Sequence, residues 1–177
     1  MATLECYKPL VGASTVEDLH LLARRLRGRR ICCINTTKTG GGVAEILSRM
    51  VPLLNGLGVD VRWETLEAPV EFYQATKKLH NALHGRLETL TPEMLKRLIE
   101  ANRHNLSRFN LDADIVFVHD PQPIALVEAR RQVGGRWVWR CHIDLTYAQP
   151  DAWEFVRRYV QQYDAAVYSA PAFARPL

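Results

Sequence analysis

Arg30-Ile31-Cys32-Cys33-Ile34-Asn35-Thr36-Thr37-Lys38-Thr39-Gly40-Gly41-Gly42-Val43-Ala44-Glu45 is the stretch that decides the fold. An apolar run of strand length stops at polar residues, three glycines follow, and an amphipathic segment starts at once. Past Gly42 the apolar positions are Val43, Ile46, Leu47, Met50, Val51 and Leu54, the spacing of one helical face. In the order strand, turn, helix, the helix N-terminus directs free N–H groups into the turn. With the positive end of the helix dipole, those groups make a site for an anion, usually a phosphate. Glycine lets a ligand reach the backbone because no Cβ intervenes. The stretch therefore predicts the first unit of a doubly wound α/β domain with a ligand at its turn. It is not a Walker loop, since Val43-Ala44 stand where Lys-Ser/Thr belong, and Glu45 replaces the third glycine of a dinucleotide fingerprint. A tight turn without a ligand is the alternative reading.

Outward from this unit, β-type and α-type patterns alternate. Before it, Tyr7-Lys8-Pro9-Leu10-Val11 reads as a short strand or extended arm. Ser14-Thr15-Val16-Glu17 has the form of a capping box for a helix striped by Val16, Leu19, Leu22, Ala23 and Leu26. After it, Gly56 and Gly58 stop the first crossover helix, and residues 59–66 alternate as a second strand. Pro69 leads into a helix over about 70–84. Tyr73, Lys77, His80 and His84 share one of its faces, and Phe72, Thr76, Leu79 and Leu83 the other. Two histidines one turn apart can hold a metal, but no third ligand accompanies them, so no metal site is expected. Thr91 caps the next helix with Pro92 in its first turn and Met94, Leu95, Leu98 and Ile99 inside.

Asp114-Ile115-Val116-Phe117-Val118-His119-Asp120 is a continuous apolar run of the kind found in strands covered on both faces. Ile124, Leu126, Val127 and Ala129 predict a helix. Gly134-Gly135 then lead into a strand that starts at Arg136 and ends in His142-Ile143-Asp144. Asp151 caps a further helix, with Glu154 three positions on, and residues 164–169 form a last strand. The pattern argues for a doubly wound, mostly parallel Rossmann-like α/β sheet flanked by helices, with right-handed crossovers.

Composition narrows the function classes. With 177 residues, 47% of them hydrophobic, the chain can bury one good core. No apolar run approaches a membrane span and no signal peptide opens the sequence, so no membrane partner and a cytoplasmic location are expected. Cys6, Cys32, Cys33 and Cys141 lack metal or redox spacing, and three of them fall in predicted strands as reduced core residues. The net charge of +4 comes largely from Arg24, Arg25, Arg27, Arg29 and Arg30, where cations suit a helix C-terminus. No aromatic residues interleave with that cluster, so no nucleic-acid partner is expected.

In doubly wound sheets ligands sit outside the carboxyl ends of the strands. Three strands deliver polar residues there: Asn35 through Gly42, His119-Asp120, and His142-Ile143-Asp144. A glycine turn for a diphosphate, with carboxylates and imidazoles for hydroxyls, suits a sugar and a nucleotide sugar. A hydrolase fits less well, because the chain has no G-x-S-x-G elbow.

Several motifs extend this reading. Tyr7-x-Pro9-x-Val11-Gly12, Ile34-Asn35-Thr36-Thr37, Gly40-Gly41-Gly42-Val43-Ala44-Glu45-Ile46-Leu47, Val59-Asp60-Val61-Arg62-Trp63 and Thr76-Lys77-x-x-His80-Asn81-x-Leu83 precede two more specific blocks. Those blocks are His119-Asp120-Pro121-Gln122-Pro123 and Trp139-Arg140-Cys141-His142-Ile143-Asp144. Across nearly the whole chain the sequence resembles the N-terminal half of trehalose glycosyltransferring synthases. These are retaining GT-B glycosyltransferases that join a nucleotide-activated glucose to glucose.

The resemblance implies one half of a GT-B fold, with residues 1–177 as a single N-terminal acceptor domain and the C-terminal nucleotide-sugar domain absent. It implies catalytic roles for His142, against the donor glucose, and for Asp120, toward acceptor hydroxyls. Substrate contacts would come from Lys38, Gly40, Gly41, Gly42, Glu45, His119, Arg140 and Asp144, with the face of Tyr73, Lys77 and His80 closing over the acceptor. Glucose, trehalose and a nucleoside-diphosphate glucose are the implied small-molecule partners, with no tightly bound cofactor. A divalent cation and a homodimer stay open. So do two other functions: a non-catalytic sugar- or nucleotide-binding module, and a sucrose- or trehalose-phosphate-type synthase, for which Lys77 or Arg140 would supply a phosphate contact. Without its second domain the chain is expected to have little or no transferase activity.

Overall fold

The computed structural model describes residues 3–177. Five strands, β1 (Arg30–Asn35), β2 (Asp60–Thr65), β3 (Ile115–His119), β4 (Arg136–Arg140) and β5 (Ala165–Val167), form one sheet in the order β2-β1-β3-β4-β5. Every neighbouring pair is parallel. Parallel neighbours need long crossovers, and the helices supply them: α3 (Gly42–Gly56), α4 (Val70–Leu83), α5 (Pro92–Leu106), the short α6 (Arg130–Val133) and α7 (Pro150–Val160). Two further helices, α1 (Lys8–Val11) and α2 (Ala13–Arg25), precede the sheet.

The alternation in β1 splits the core into two layers. Ile31 and Cys33 pack with Leu47 and Val51 of α3 and with Val59 and Val61. Cys32 and Ile34 face Phe72, Leu79 and Leu83 of α4, Leu98 of α5, and Trp137 and Trp139 of β4. Val116 and Val118 of β3 and both β4 tryptophans, which share one face of the sheet, are completely buried, whereas Ile115, Phe117 and Val138 on the other face are half-buried, so the cover expected on both faces of β3 is complete on one only. Cys32, Cys33 and Cys141 are free thiols inside this core, whereas Cys6 is free and exposed. Thr91 accepts a hydrogen bond from the Met94 backbone N–H at 3.3 Å, with Pro92 behind it in the first turn of α5. On α4 the two faces divide as the periodicity predicts, with Phe72, Thr76, Leu79 and Leu83 buried.

Several expectations are corrected. Residues 7–11 are helical rather than extended, since Pro9 sits in the first turn of α1, where its fixed φ suits a helix. Gly12, at φ 85° and ψ 159°, separates α1 from α2, so α2 starts at Ala13 and no capping box forms. Thr15 instead donates its hydroxyl back to the Val11 carbonyl at 2.8 Å. Of the α2 stripe, Val16 and Ala23 are buried but Leu19 and Leu22 stay exposed. Ile46 of α3 is exposed too. The segment Ile124–Ala129 is a 3₁₀ helix, almost wholly buried. At α7 the capping position is Gln149 rather than Asp151, because Pro150 already occupies the first turn. No described helix is long and apolar enough to cross a membrane.

Candidate functional site

Strand order places the site. The chain winds from β1 outward to β2 on one side and from β3 outward to β4 and β5 on the other, so the direction of winding reverses between β1 and β3. Crossovers leaving two adjacent strands on opposite faces open a crevice at their carboxyl ends. A cavity of about 390 Å³ lies there. Its wall comprises Asn35 to Thr37 and Gly40 to Ala44 after β1, Thr76 and His80 of α4, His119, Asp120 and Gln122 after β3, and His142 and Ile143 after β4. A larger apolar cavity of about 590 Å³ sits between the N-terminal segment and α3. Its Glu5 and His20 face each other at 3.5 Å, so no comparable set of free polar groups converges in it.

The turn after β1 is held by its own side chains. Asn35 is buried, accepts from the Trp63 indole N–H at 2.7 Å, and donates its amide to the Thr37 carbonyl at 2.9 Å. The Thr37 hydroxyl reaches the Thr39 carbonyl at 2.9 Å and the Gly40 carbonyl at 3.3 Å. Gly41 occupies the N-cap position of α3 at φ 85° and ψ 152°, a region open in practice only to glycine. The backbone thereby turns from strand to helix with nothing covering its cavity side.

Opposite the turn, Asp120 is held in an unusual conformation. At φ 65° it is the one non-glycine residue with positive φ among those described. Its surroundings lock it there: its N–H donates to the Arg140 carbonyl at 2.8 Å and its carbonyl accepts from the Trp139 indole at 2.9 Å. The carboxylate Oδ1 accepts from the His142 backbone N–H at 2.8 Å. Strain of this kind collects at functional sites. Burial pushes the Asp120 carboxyl up to about 6, against the opposing pull of the His142 N–H and the Arg140 charge. The rings of His119 and His142 meet with Nδ1 and Nε2 3.0 Å apart. Burial, the neighbouring imidazole and Arg140 lower His119 to about 3. Burial and Arg140 lower His142 to about 4. Both imidazoles are therefore neutral at pH 7.

Among the residues singled out from sequence, Gly40, Gly41, Gly42, His119, Asp120 and His142 come together, as does His80. Lys38, Glu45, Arg140 and Asp144 do not line the cavity. Lys38 and Glu45 are exposed. Arg140 turns toward the neighbouring strand end and donates to the Cys141 and Val167 carbonyls and the Ser169 hydroxyl. Asp144 closes a local turn, accepting from the Thr146 N–H at 2.9 Å and its hydroxyl at 2.6 Å. Tyr73 and Lys77 also lie outside the wall. Sequence reasoning missed Gln122, whose buried Oε1 has no partner, although it stands inside the His-Asp-Pro-Gln-Pro block that pointed here. It also assigned Thr76 only to packing.

No three described His, Cys, Asp or Glu side chains cluster as a metal site would need. The wall is instead a set of neutral donors and acceptors with one carboxylate, chemistry that fits hydroxyl groups.

Comparison with known proteins converges on one family. Residues 33–175 match the family model described as "Trehalose synthase, N-terminal domain". The chain belongs to that family. Trehalose synthases of Pyrococcus horikoshii and Rubrobacter xylanophilus are 43% and 39% identical to it, over 98% and 96% of its length. It spans 42% of each of those two relatives. A trehalose phosphorylase of Pleurotus pulmonarius is 28% identical over 91% of the chain and 25% of its own length. The fold is shared with a solved α,α-trehalose 6-phosphate synthase from Burkholderia multivorans, at a TM-score of 0.50 and 16% identity, covering 78% of this chain and 39% of that one. The trehalose synthase N-terminal family thus has, in this member, a parallel α/β domain with a polar cavity at its switch point.

Proposed function

We propose that the chain is the acceptor-side half of a retaining glycosyltransferase that moves glucose from a nucleoside-diphosphate glucose to free glucose, forming trehalose. One observation carries the reading: the open glycine turn, the Asp120 carboxylate and the neutral His142 share a single cavity wall. Asp120 uses Oδ1 on the His142 backbone, which leaves Oδ2 to accept from an acceptor hydroxyl. His142 sits against the donor glucose, and the Gly40–Gly42 backbone approaches the donor diphosphate and the acceptor sugar. Gln122 Oε1, a buried acceptor without a partner, takes a further sugar hydroxyl. The reaction then passes through a front-face, oxocarbenium-like transition state in which the departing phosphate takes the acceptor proton. Fixed dipoles around it contribute several kcal/mol, on the order of 3 for each well-placed donor. The family resemblance assigns most nucleotide contacts to a second domain, and the chain spans 42% of its trehalose synthase relatives, so these 177 residues alone are expected to turn over little or no substrate. Cytoplasmic residence fits its buried free thiols.

An unphosphorylated acceptor is favoured over a sugar phosphate. No Lys or Arg side chain lines the described cavity wall, and the Asp120 carboxylate, as the partner of the acceptor's hydroxyls, would repel a phosphate carried by the acceptor itself. The two cations that could have served a phosphate, Lys77 and Arg140, lie outside it. Calorimetric titration of the purified chain with glucose and with glucose 6-phosphate tests this: glucose should bind and the phosphate should not. Adding in trans the part of a trehalose synthase relative that this chain does not span, with nucleoside-diphosphate glucose and glucose, should produce trehalose. Ligand binding without any transfer would replace the enzyme by a non-catalytic binding module.

A further inference from the structure

The resemblance implied a substrate contact for His119, but the proposed function uses none from it, and its surroundings point to another role. The residue is 2% exposed. Its Nδ1 lies 3.0 Å from Nε2 of His142, and the two rings are within 18° of parallel with centroids 5.3 Å apart. Its Nε2 is buried with no hydrogen-bond partner, and Phe117 packs on the same ring at 4.7 Å between centroids.

Two neutral imidazoles that meet nitrogen to nitrogen hold one proton between them. Placed on Nε2 of His142, that proton forces His119 to carry its own on Nε2, where a buried N–H would find no acceptor. Placed on Nδ1 of His119, it leaves only a bare lone pair buried. Among backbone groups, buried N–H donors without a partner are rarer than under-satisfied acceptors, and the same preference carried over to the imidazole favours the bare lone pair. The second arrangement makes Nε2 of His142 the acceptor and puts the His142 proton on Nδ1, which has no hydrogen-bond partner among the described residues.

We propose that His119 is a positioning residue: by donating Nδ1–H to Nε2 of His142, it fixes His142 as the Nδ1–H tautomer and makes it a hydrogen-bond donor toward a sugar oxygen in the cavity. A partner on one ring nitrogen sets the tautomer at the other. His142 is tied twice, through its backbone N–H to Asp120 and through its ring to His119. The site thus offers a donor on His142 beside an acceptor on Asp120. The ligand in this statement rests on the sugar-binding reading; the tautomer is a property of the unliganded chain.

Long-range ¹H–¹⁵N correlation spectra of the histidine-labelled chain at pH 7 test the tautomer without any ligand or turnover. Nε2 of His142 should be of the bare, pyridine type and Nδ1 of both His119 and His142 of the protonated, pyrrole type. A protonated Nε2 on His142 overturns the proposal. His119→Asn, whose amide can donate from nearly the same place as Nδ1, should keep the His142 pattern. His119→Phe should release it to a tautomer mixture; an unchanged His142 pattern in that variant also overturns the proposal. Should the Phe variant fail to fold, the wild-type and Asn spectra decide alone. Glucose affinity should fall about tenfold in His119→Phe, the loss of one hydrogen bond, and stay within about twofold in His119→Asn. A wild-type chain that shows the expected tautomer but binds no glucose retains the His119 role and sinks the sugar reading. Glucose binding to a chain whose His142 is protonated on Nε2 does the reverse.

Discussion

Two adjacent glycines of the turn should respond in opposite directions to the same substitution. Gly41 holds φ 85° and ψ 152°, whereas Gly42 is the first residue of α3 with no positive φ. A Cβ built on either would meet nothing within 4 Å, so packing contributes nothing and backbone conformation alone sets the sign. Forcing alanine into the Gly41 conformation costs about 1–3 kcal/mol. At Gly42 alanine restricts the unfolded chain without straining the folded one, a gain of about 0.4–1 kcal/mol. For a chain of this size 1 kcal/mol moves Tm by roughly 2–4 °C. Gly41→Ala should therefore lower Tm by roughly 4–8 °C for a mid-range cost of about 2 kcal/mol. Gly42→Ala should raise it by roughly 1–4 °C. Scanning calorimetry of both variants at pH 7 reads the difference. Equal shifts of the same sign would refute the assignment of distinct backbone states. The second readout is binding: both methyl groups stand at the cavity wall, so the more stable Gly42→Ala should still bind glucose more weakly than the parent chain. Unchanged affinity in that variant would show that the turn is not part of the sugar site.

Acidification should destabilise the chain through its two cavity histidines. Both have folded pKa values below the ordinary 6.5, near 3 for His119 and near 4 for His142, so their contribution is full above 6.5 and is lost as pH falls toward those values. Asp120 works the other way: its carboxyl is raised to about 6, so its contribution is present below about 4 and is lost as pH rises to 6. With two histidines against one carboxyl, urea midpoints should fall from pH 7 to pH 4.5, and the fall should be smaller in His119→Asn; a flat profile in the parent chain would contradict this. Trp139→Phe removes the indole donor to the Asp120 carbonyl and opens a gap in the core, for a loss of about 2–4 kcal/mol in urea unfolding. Asn105, completely buried, accepts from the Glu67 N–H and donates to its carbonyl. Asn105→Leu should cost about 2–4 kcal/mol and speed amide exchange at Glu67, whereas protection equal to the parent's would refute the bridge.

How much of this was legible in the sequence depends on the distance over which each feature is decided. The stretch from Arg30 to Glu45 carries its own strand, turn and helix, because alternation, glycine and a helical stripe each act over a few residues. The apolar runs at 115–118 and 137–139 likewise announce strands, though only one face of each is fully buried, and the polar tips at His119-Asp120 and His142 follow from where those runs stop. Local patterns failed where two of them competed: Pro9 suits a first helical turn as well as an extended arm, and Gly12 displaced the helix start that Ser14 to Glu17 suggested. The motif resemblance led to the trehalose synthase family, which the comparisons then showed.

Tertiary structure alone decided the rest. The order β2-β1-β3-β4-β5 sets which strand ends become neighbours, and only that order brings the glycine turn and Asp120 to the same crevice. Arg140 and Asp144 flank His142 in sequence, yet one is drawn to the end of β5 and the other to Thr146. The direction of a strand-end side chain depends on partners that the sequence does not name. The contact between His119 and His142 spans 23 residues, and the left-handed Asp120 depends on Trp139 and Arg140 of the adjacent strand. Periodicity encodes which residues are buried; the pairing of strands far apart in the chain chooses which polar groups meet, and chemistry begins with that meeting.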